Sequence, residues 1–173
     1  MRAIEYLNEQ KCRYEMVHHK PVYTAEQLAR TKSIPSRQVA KSVTVEADGR
    51  FYLCVLPADR KIDFITLRKR LKVKQAALAT EAQMAGLFED CQVGAMAPIG
   101  NVYNLPTLMD KTLTKDKEIT FLAGTHETSI RMSTEEYIRL VRPTILKFSY
   151  SVWPRRIVDP FYFDPFVDIP FGM

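Results

Sequence analysis

Residues 38–59, QVAKSVTVEADGRFYLCVLPAD, constrain the fold more than any other part of the chain. Two runs rich in β-branched and aromatic residues flank Ala47-Asp48-Gly49. Asp-Gly is a pair that a tight hairpin favours, because it tolerates the left-handed backbone such a turn needs. The stretch therefore predicts two antiparallel strands. Alternation puts Val39, Lys41, Val43 and Val45 on one face of the first strand and Ala40, Ser42 and Thr44 on the other. A lysine among valines either has a partner for its charge or snorkels from an edge strand as a guard against aggregation.

Helices and short strands surround this hairpin. "RAIEYLNEQ" carries Ile4, Tyr6 and Leu7 at helical spacing, and "CRYEMVHH" alternates in strand fashion through Cys12, Tyr14, Met16 and His18. Thr24 can cap a helix over "AEQLARTK", Asp63 one over "DFITLRKRL" and Thr80 one over "TEAQMAGLF". "PTLMDKTL" and "EITFLAG" read as strands. "THETSIRM" leads into a last helix, "STEEYIRLV", where Ser133 and Glu136 have the spacing of a capping box. The pattern predicts an α+β (mixed α/β) fold, with a mixed, mainly antiparallel sheet and surrounding helices. A length of 173 residues fits one domain.

From residue 143 the character changes. "TILKFSYSVWPRRIVDPFYFDPFVDIPFGM" is aromatic and proline-dense and repeats Asp-Pro-Phe at Asp159 and Asp164. It is too apolar for a solvated tail and too rich in proline for a regular helix or central strand. Residues 143–173 are therefore expected to form an extended arm, packed on this subunit or on a partner.

Several classes of function are disfavoured. No run of about 18 apolar residues exists, and the first ten residues carry charge where a signal peptide needs an apolar core, so neither a membrane span nor secretion is predicted and a cytoplasmic protein is expected. Cys12, Cys54 and Cys91 lie far apart, and His18-His19 with His126 form no ligand-spaced pair, so no metal and no cofactor are expected. The net charge of +5 is modest, but Arg68, Lys69, Arg70, Lys72 and Lys74 are concentrated in "LRKRLKVK". That stretch is either an edge that contacts phosphates or a solvated helix face.

The loop "VGAMAPIGNVYNLP", residues 93–106, has no charged side chain, and glycines at Gly94 and Gly100. It is either a tight corner or a place where a ligand closely approaches bare backbone. Four segments decide between these in order along the chain: "HHKPVYTAEQLA", "QVAKSVTVEADGRFYLCVLPAD", "VGAMAPIG" and "FLAGTHETSIRMS". Together they resemble the YbaK/ProX family of aminoacyl-tRNA deacylases, related to the editing domain of bacterial prolyl-tRNA synthetases. The resemblance covers roughly residues 1–142.

The resemblance implies a free-standing domain that hydrolyses the ester joining a wrong amino acid to the 3′ end of a tRNA. Alanine or cysteine on tRNA(Pro) are the leading substrates. It implies tRNA as partner, with a synthetase and a second copy of the chain as further candidates. The family's strand lysine falls on Lys41, its GxxxP loop on Gly94-Ala95-Met96-Ala97-Pro98 and its Gly-x-His on Gly124-Thr125-His126. Lys41, Gly94 and His126 are the expected catalytic residues; Thr24, Ser42, Met96, Ala97, Pro98 and Gly124 are expected to bind substrate, and Arg68, Lys69 and Arg70 to meet the tRNA.

An aminoacyl ester is already activated, so a positioned water and donors aimed at the developing oxyanion suffice. His126 either orients substrate or water by hydrogen bonding or acts as general base. Thr24 either caps its helix or lines the pocket, and Met96 either sets pocket size or fills core. Ser42 stands where some alanine-editing relatives carry asparagine. A binding module without turnover is the alternative function, and a thiol hydrolase using Cys54 or Cys91 is a weaker one.

Overall fold

The computed structural model describes residues 2–152. The chain opens with helix α1 (Arg2–Glu9), strand β1 (Tyr14–His18) and helix α2 (Ala25–Lys32). The predicted hairpin follows as β2 (Ala40–Ala47) and β3 (Arg50–Pro57). All eight residues of β2 pair with β3, from Ala40 opposite Pro57 to Ala47 opposite Arg50. Asp48 and Gly49 both have positive φ, 46° and 80°, as a type I′ turn requires.

Next come β4 (Arg60–Ile62), α3 (Phe64–Leu71), β5 (Ala76–Leu78) and α4 (Glu81–Leu87). After the glycine-rich loop the chain forms β6 (Thr107–Asp110), β7 (Glu118–Leu122), β8 (Thr128–Ser133) and α5 (Thr134–Val141). Two three-residue strands, β9 (Thr144–Leu146) and β10 (Ser149–Ser151), complete the described chain.

The five-stranded sheet has the order β5-β2-β3-β6-β9, and a three-stranded sheet has the order β1-β8-β7. Pairing is antiparallel except at β3–β6 and β6–β9, which are parallel. A parallel bridge from Val39 to Thr120 joins the two sheets at the start of β2. The α+β expectation is met, and within β2 the faces are as alternation placed them; Val39, expected on the face of Val43 and Val45, precedes the strand and packs on α2 instead. Val45, Cys54 and Leu56 pack with Leu67 of α3 and with Phe148. From the opposite face, Ala40, Val55 and Met109 meet Phe121 and Ile130 of the smaller sheet, Leu7 of α1 and Tyr137 of α5.

Where local reading went astray, side-chain hydrogen bonds account for it. "PTLMDKTL" is a strand only as far as Asp110. That carboxylate accepts from the Thr112 backbone N–H (3.0 Å) and hydroxyl (2.6 Å), capping a 3₁₀ turn over Lys111–Lys115. At α5 the capping box is half made. Ser133 accepts from the Glu136 N–H, but the Glu136 carboxylate turns to Arg139 at 2.6 and 3.0 Å. A complete box forms instead at α4, between Thr80 and Gln83.

The segment from residue 143 begins inside the fold. β9 lies beside β6, β10 pairs with β4, and fully buried Phe148 donates its N–H to Asp110 Oδ2 at 3.1 Å. Of the expected arm, 143–173, the described part ends at residue 152, and the Asp-Pro-Phe repeats lie outside the described residues. Among the described residues no helix is long and apolar enough to cross a membrane, and no group of three or more His, Cys, Asp or Glu could hold a metal ion.

Candidate active site

α2 is held over the start of β2 by Leu28 and Ala29, which pack on Val39, Ala58, Ala95 and Leu122. Thr24 fixes the helix start by accepting the Gln27 N–H. Between α2, β2 and the loop after α4 lies a cavity of about 40 Å³, bordered by Ala25, Leu28, Lys41, Ser42, Gly94 and Met96 among others. Lys41 and Ser42 leave β2 on opposite faces, yet both border the cavity, which sits at the strand's beginning.

Lys41 is half-buried, its Nζ donating to Ala58 O at 3.3 Å. None of the ion pairs among the described residues involves it. Burial above all, together with the like charge of Lys61, holds its ammonium below the ordinary lysine range, against the opposing pull of Glu26 and Asp59. Glu26 Oε1 and Asp59 Oδ1 are buried with no hydrogen-bond partner among the described residues, so the surroundings of Lys41 are charged and incompletely paired. A cation kept this way retains much of its field for an incoming anion.

The loop bordering the cavity is stitched to the Gly124-Thr125-His126 turn. Gln92 N–H donates to Gly124 O at 2.8 Å, Gly124 N–H to Ala95 O at 2.7 Å, and His126 N–H to the Gln92 side chain at 2.8 Å. Gly94 and Gly124 have φ of +84° and +95°, a backbone that glycine adopts without strain. Ser42 Oγ donates to Met96 O at 3.0 Å and Tyr137 Oη to Pro98 O, tying the loop to β2 and α5. Among the described residues the N–H groups of Gly94 and Met96 have no acceptor. Both residues border the cavity.

His126 bridges two loops. Its Nδ1 is 2.9 Å from Val22 O and its Nε2 is 3.0 Å from Val93 O, while its own carbonyl accepts the Val22 N–H at 2.9 Å. A neutral imidazole has one N–H, so it can donate to one of these carbonyls at a time, and neither nitrogen is left facing only solvent.

The structure thus brings Lys41, Ser42, Gly94 and Met96 to one cavity and sets Gly124 and His126 against the same loop. Ala97 and Pro98 are buried, and Thr24 caps α2; none of the three borders the cavity. Arg68, Lys69 and Arg70 lie on α3, which covers the sheet face from which Lys41 projects. Sequence reading did not find Ala25, Leu28 or Leu122 on the cavity wall, nor Glu26, Asp59 and Lys61 around Lys41. Helix spacing for the residues of α2, and strand or turn position for Leu122, Asp59 and Lys61, says at most what a side chain packs against and not which cavity it borders. The cysteines do not enter the site. Burial pushes the Cys54 thiol up to about 12 and also raises Cys91, which sits against Tyr103.

Residues 19–140 match the family described as the aminoacyl-tRNA editing domain. The chain is 26% identical over 152 residues to the multifunctional Ser/Thr-tRNA deacylase ProXp-y of Escherichia coli (strain K12), covering 85% of this chain and 90% of that protein. It is 25% identical over 146 residues to the prolyl-tRNA editing protein ProX of Acetoanaerobium sticklandii, covering 81% and 88%. Among solved structures, hypothetical protein APE2540 superposes with a TM-score of 0.79 at 18% identity, over 87% of this chain and all 100% of the other. A candidate trans-editing enzyme for prolyl tRNA synthetase superposes with a TM-score of 0.76 at 18% identity, over 87% and 96%. With a match that starts just after β1, reaches into α5 and takes in every residue that borders the cavity, the chain belongs to the aminoacyl-tRNA editing domain family, a family of deacylases.

Proposed function

We propose that this chain acts in trans as a hydrolase of mischarged aminoacyl-tRNA, cleaving the ester of a small, uncharged amino acid. The observation that carries this reading is that Lys41, Gly94 and Met96 border one cavity of about 40 Å³, the last two with N–H groups that have no acceptor among the described residues. Alanine and cysteine fit a space of that size, and so does serine, which the E. coli relative's name includes.

In this reading a water adds to the ester carbonyl, and the tetrahedral oxyanion forms against the Gly94 and Met96 N–H groups. Preorganised donors of this kind contribute roughly 3–4 kcal/mol each to such a step. The Lys41 charge, only partly screened by water, adds to that stabilisation or holds the terminal phosphate. Collapse of the intermediate expels the ribose oxygen, which takes the proton lost by the water, and the amino acid leaves as the free acid. His126 acts as a positioning residue, keeping Val93-Gly94 and Val22 at fixed separation. Ser42 serves the same end through Met96 O. Thr24, Ala97, Pro98 and Gly124 act on substrate only through the helix and loop they shape. Arg68, Lys69 and Arg70 meet the acceptor-stem phosphates.

The test is deacylation of Ala-, Cys- and Pro-tRNA(Pro), Ser-tRNA and Thr-tRNA by the wild type and by Lys41→Ala. Hydrolysis of at least one mischarged species, lost in Lys41→Ala, is expected. No turnover of any species by the wild type, with tRNA binding retained, would leave a binding module in its place.

A further inference from the structure

A cavity of about 40 Å³ accepts a few waters or a small side chain, since one water needs roughly 10–15 Å³ on this scale. A nucleoside cannot enter it. With the ester carbonyl at Gly94 and Lys41, the terminal nucleoside must therefore lie across the rim. Two large apolar side chains stand exposed there, Tyr23 (65%) and Val93 (55%). Tyr23 is two residues from the cavity-lining Ala25, and its ring lies 5.0 Å from the His126 ring, centroid to centroid, at 47°. His126 in turn has Cε1 3.7 Å from where a Cβ on Gly94 would stand.

The Tyr23 backbone is pinned on both sides. Its own N–H donates to Gln27 Oε1 at 2.7 Å, and Val22 is tied to His126 through both its N–H and its carbonyl. Its hydroxyl bonds to no described residue. An exposed aromatic ring, fixed in place and braced on one side by a second ring, has the makings of a base-stacking platform.

We infer that Tyr23 is the platform on which the terminal nucleobase of the aminoacyl-tRNA stacks. This rests on the deacylase reading and adds to it a binding subsite outside the cavity. Stacking tolerates any base, so the contact supplies affinity while the cavity supplies amino-acid choice.

The experiment pairs kinetics with a turnover-independent probe. On a mischarged tRNA minihelix, Tyr23→Ala is expected to raise KM by about 5- to 150-fold with the loss falling on KM rather than kcat, and Tyr23→Phe and Tyr23→Trp to stay near wild type. An unchanged KM in a folded Tyr23→Ala, or a Tyr23→Phe as weak as Tyr23→Ala, overturns the inference. The probe is a minihelix with 2-aminopurine as its last base and alanine, or in a second preparation serine, held by a 3′-amide. Wild type is expected to quench its fluorescence and Tyr23→Ala not to. Tyr23-dependent quenching without hydrolysis of any ester would sink the deacylase reading alone. Hydrolysis without Tyr23-dependent quenching would sink the stacking inference alone.

Discussion

His126 separates two roles that sequence reading left open. Its side chain holds Val22 O at 2.9 Å and Val93 O at 3.0 Å, and it also packs on Tyr23. A neutral ring makes one of the two hydrogen bonds at a time, worth about 0.5–1.5 kcal/mol net. The ring contact is worth a similar roughly 0.5–1.5 kcal/mol. His126→Ala should then cost about 1–3 kcal/mol, which for a chain of this size lowers Tm by roughly 2–12 °C.

The informative variants are Gln and Asn. A glutamine amide reaches the place of Nε2 and can donate to Val93 O, whereas asparagine reaches only the place of Nδ1 and Val22 O. Val93 precedes Gly94, which borders the cavity and is proposed to donate its N–H to the oxyanion, so His126→Gln should keep much more of kcat than His126→Asn. Single-turnover deacylation, with Tm from thermal unfolding, measures both. Should His126→Gln recover Tm yet lose activity as deeply as His126→Ala, the ring moves a proton and the clamp argument is refuted.

Lys41 gives a prediction with a sign. Its pKa is lowered in the folded chain from the ordinary value of 10.5, chiefly by burial, so the unfolded chain holds that proton more tightly. The lysine therefore destabilises the fold at all pH values below its folded pKa, and this penalty is relieved as pH rises from there to 10.5. Lys41→Met should raise Tm at pH 7 while abolishing deacylation, with a gain that shrinks toward pH 10.5; a lower Tm at pH 7 would mean that the contacts with Ala58 O, Glu26 and Asp59 outweigh burial. Cys54→Ala should retain activity, because a fully buried thiol raised to about 12 supplies no thiolate at neutral pH; loss of turnover in a folded variant would restore the thiol-hydrolase reading. Reversing Arg68, Lys69 and Arg70 together should weaken tRNA binding and reduce its salt slope by up to about 3, and an unaltered slope would remove α3 from the interface.

What could be read from sequence was what is decided locally. Asp48-Gly49 sets the hairpin, and Thr24, Asp63 and Thr80 each cap the helix that follows. β4, β5, β9 and β10 are three residues each, too short to display a period, and their pairing partners lie far along the chain. Glu136 had two local partners, and the arginine three residues on outcompeted the backbone N–H. In the site, Lys41 was visible because a charge interrupts an apolar alternation. Gly94, Pro98 and His126 were visible only through the family resemblance, since a glycine-proline loop also suits a plain corner. Tyr23 gave no signal: an aromatic in a stretch that is neither helix nor strand has no pattern to break.

The hydrogen bond between His126 and Val22 O spans 104 residues, and β1 finds its partner only when β8 exists, with Tyr14 opposite Met132. At about 5–20 residues per second, the ribosome releases the second half of this bond roughly 5–20 s after the first. Closing so long a loop carries its entropic cost before any of its contacts form, so the rim of the cavity is assembled late. A nascent or truncated chain that holds Lys41 but lacks β8 has the cation without the braced loop. If Lys41 and the braced loop act as proposed, activity against aminoacyl esters is confined to molecules that have finished folding, and a half-made copy beside a translating ribosome leaves the charged tRNAs around it intact.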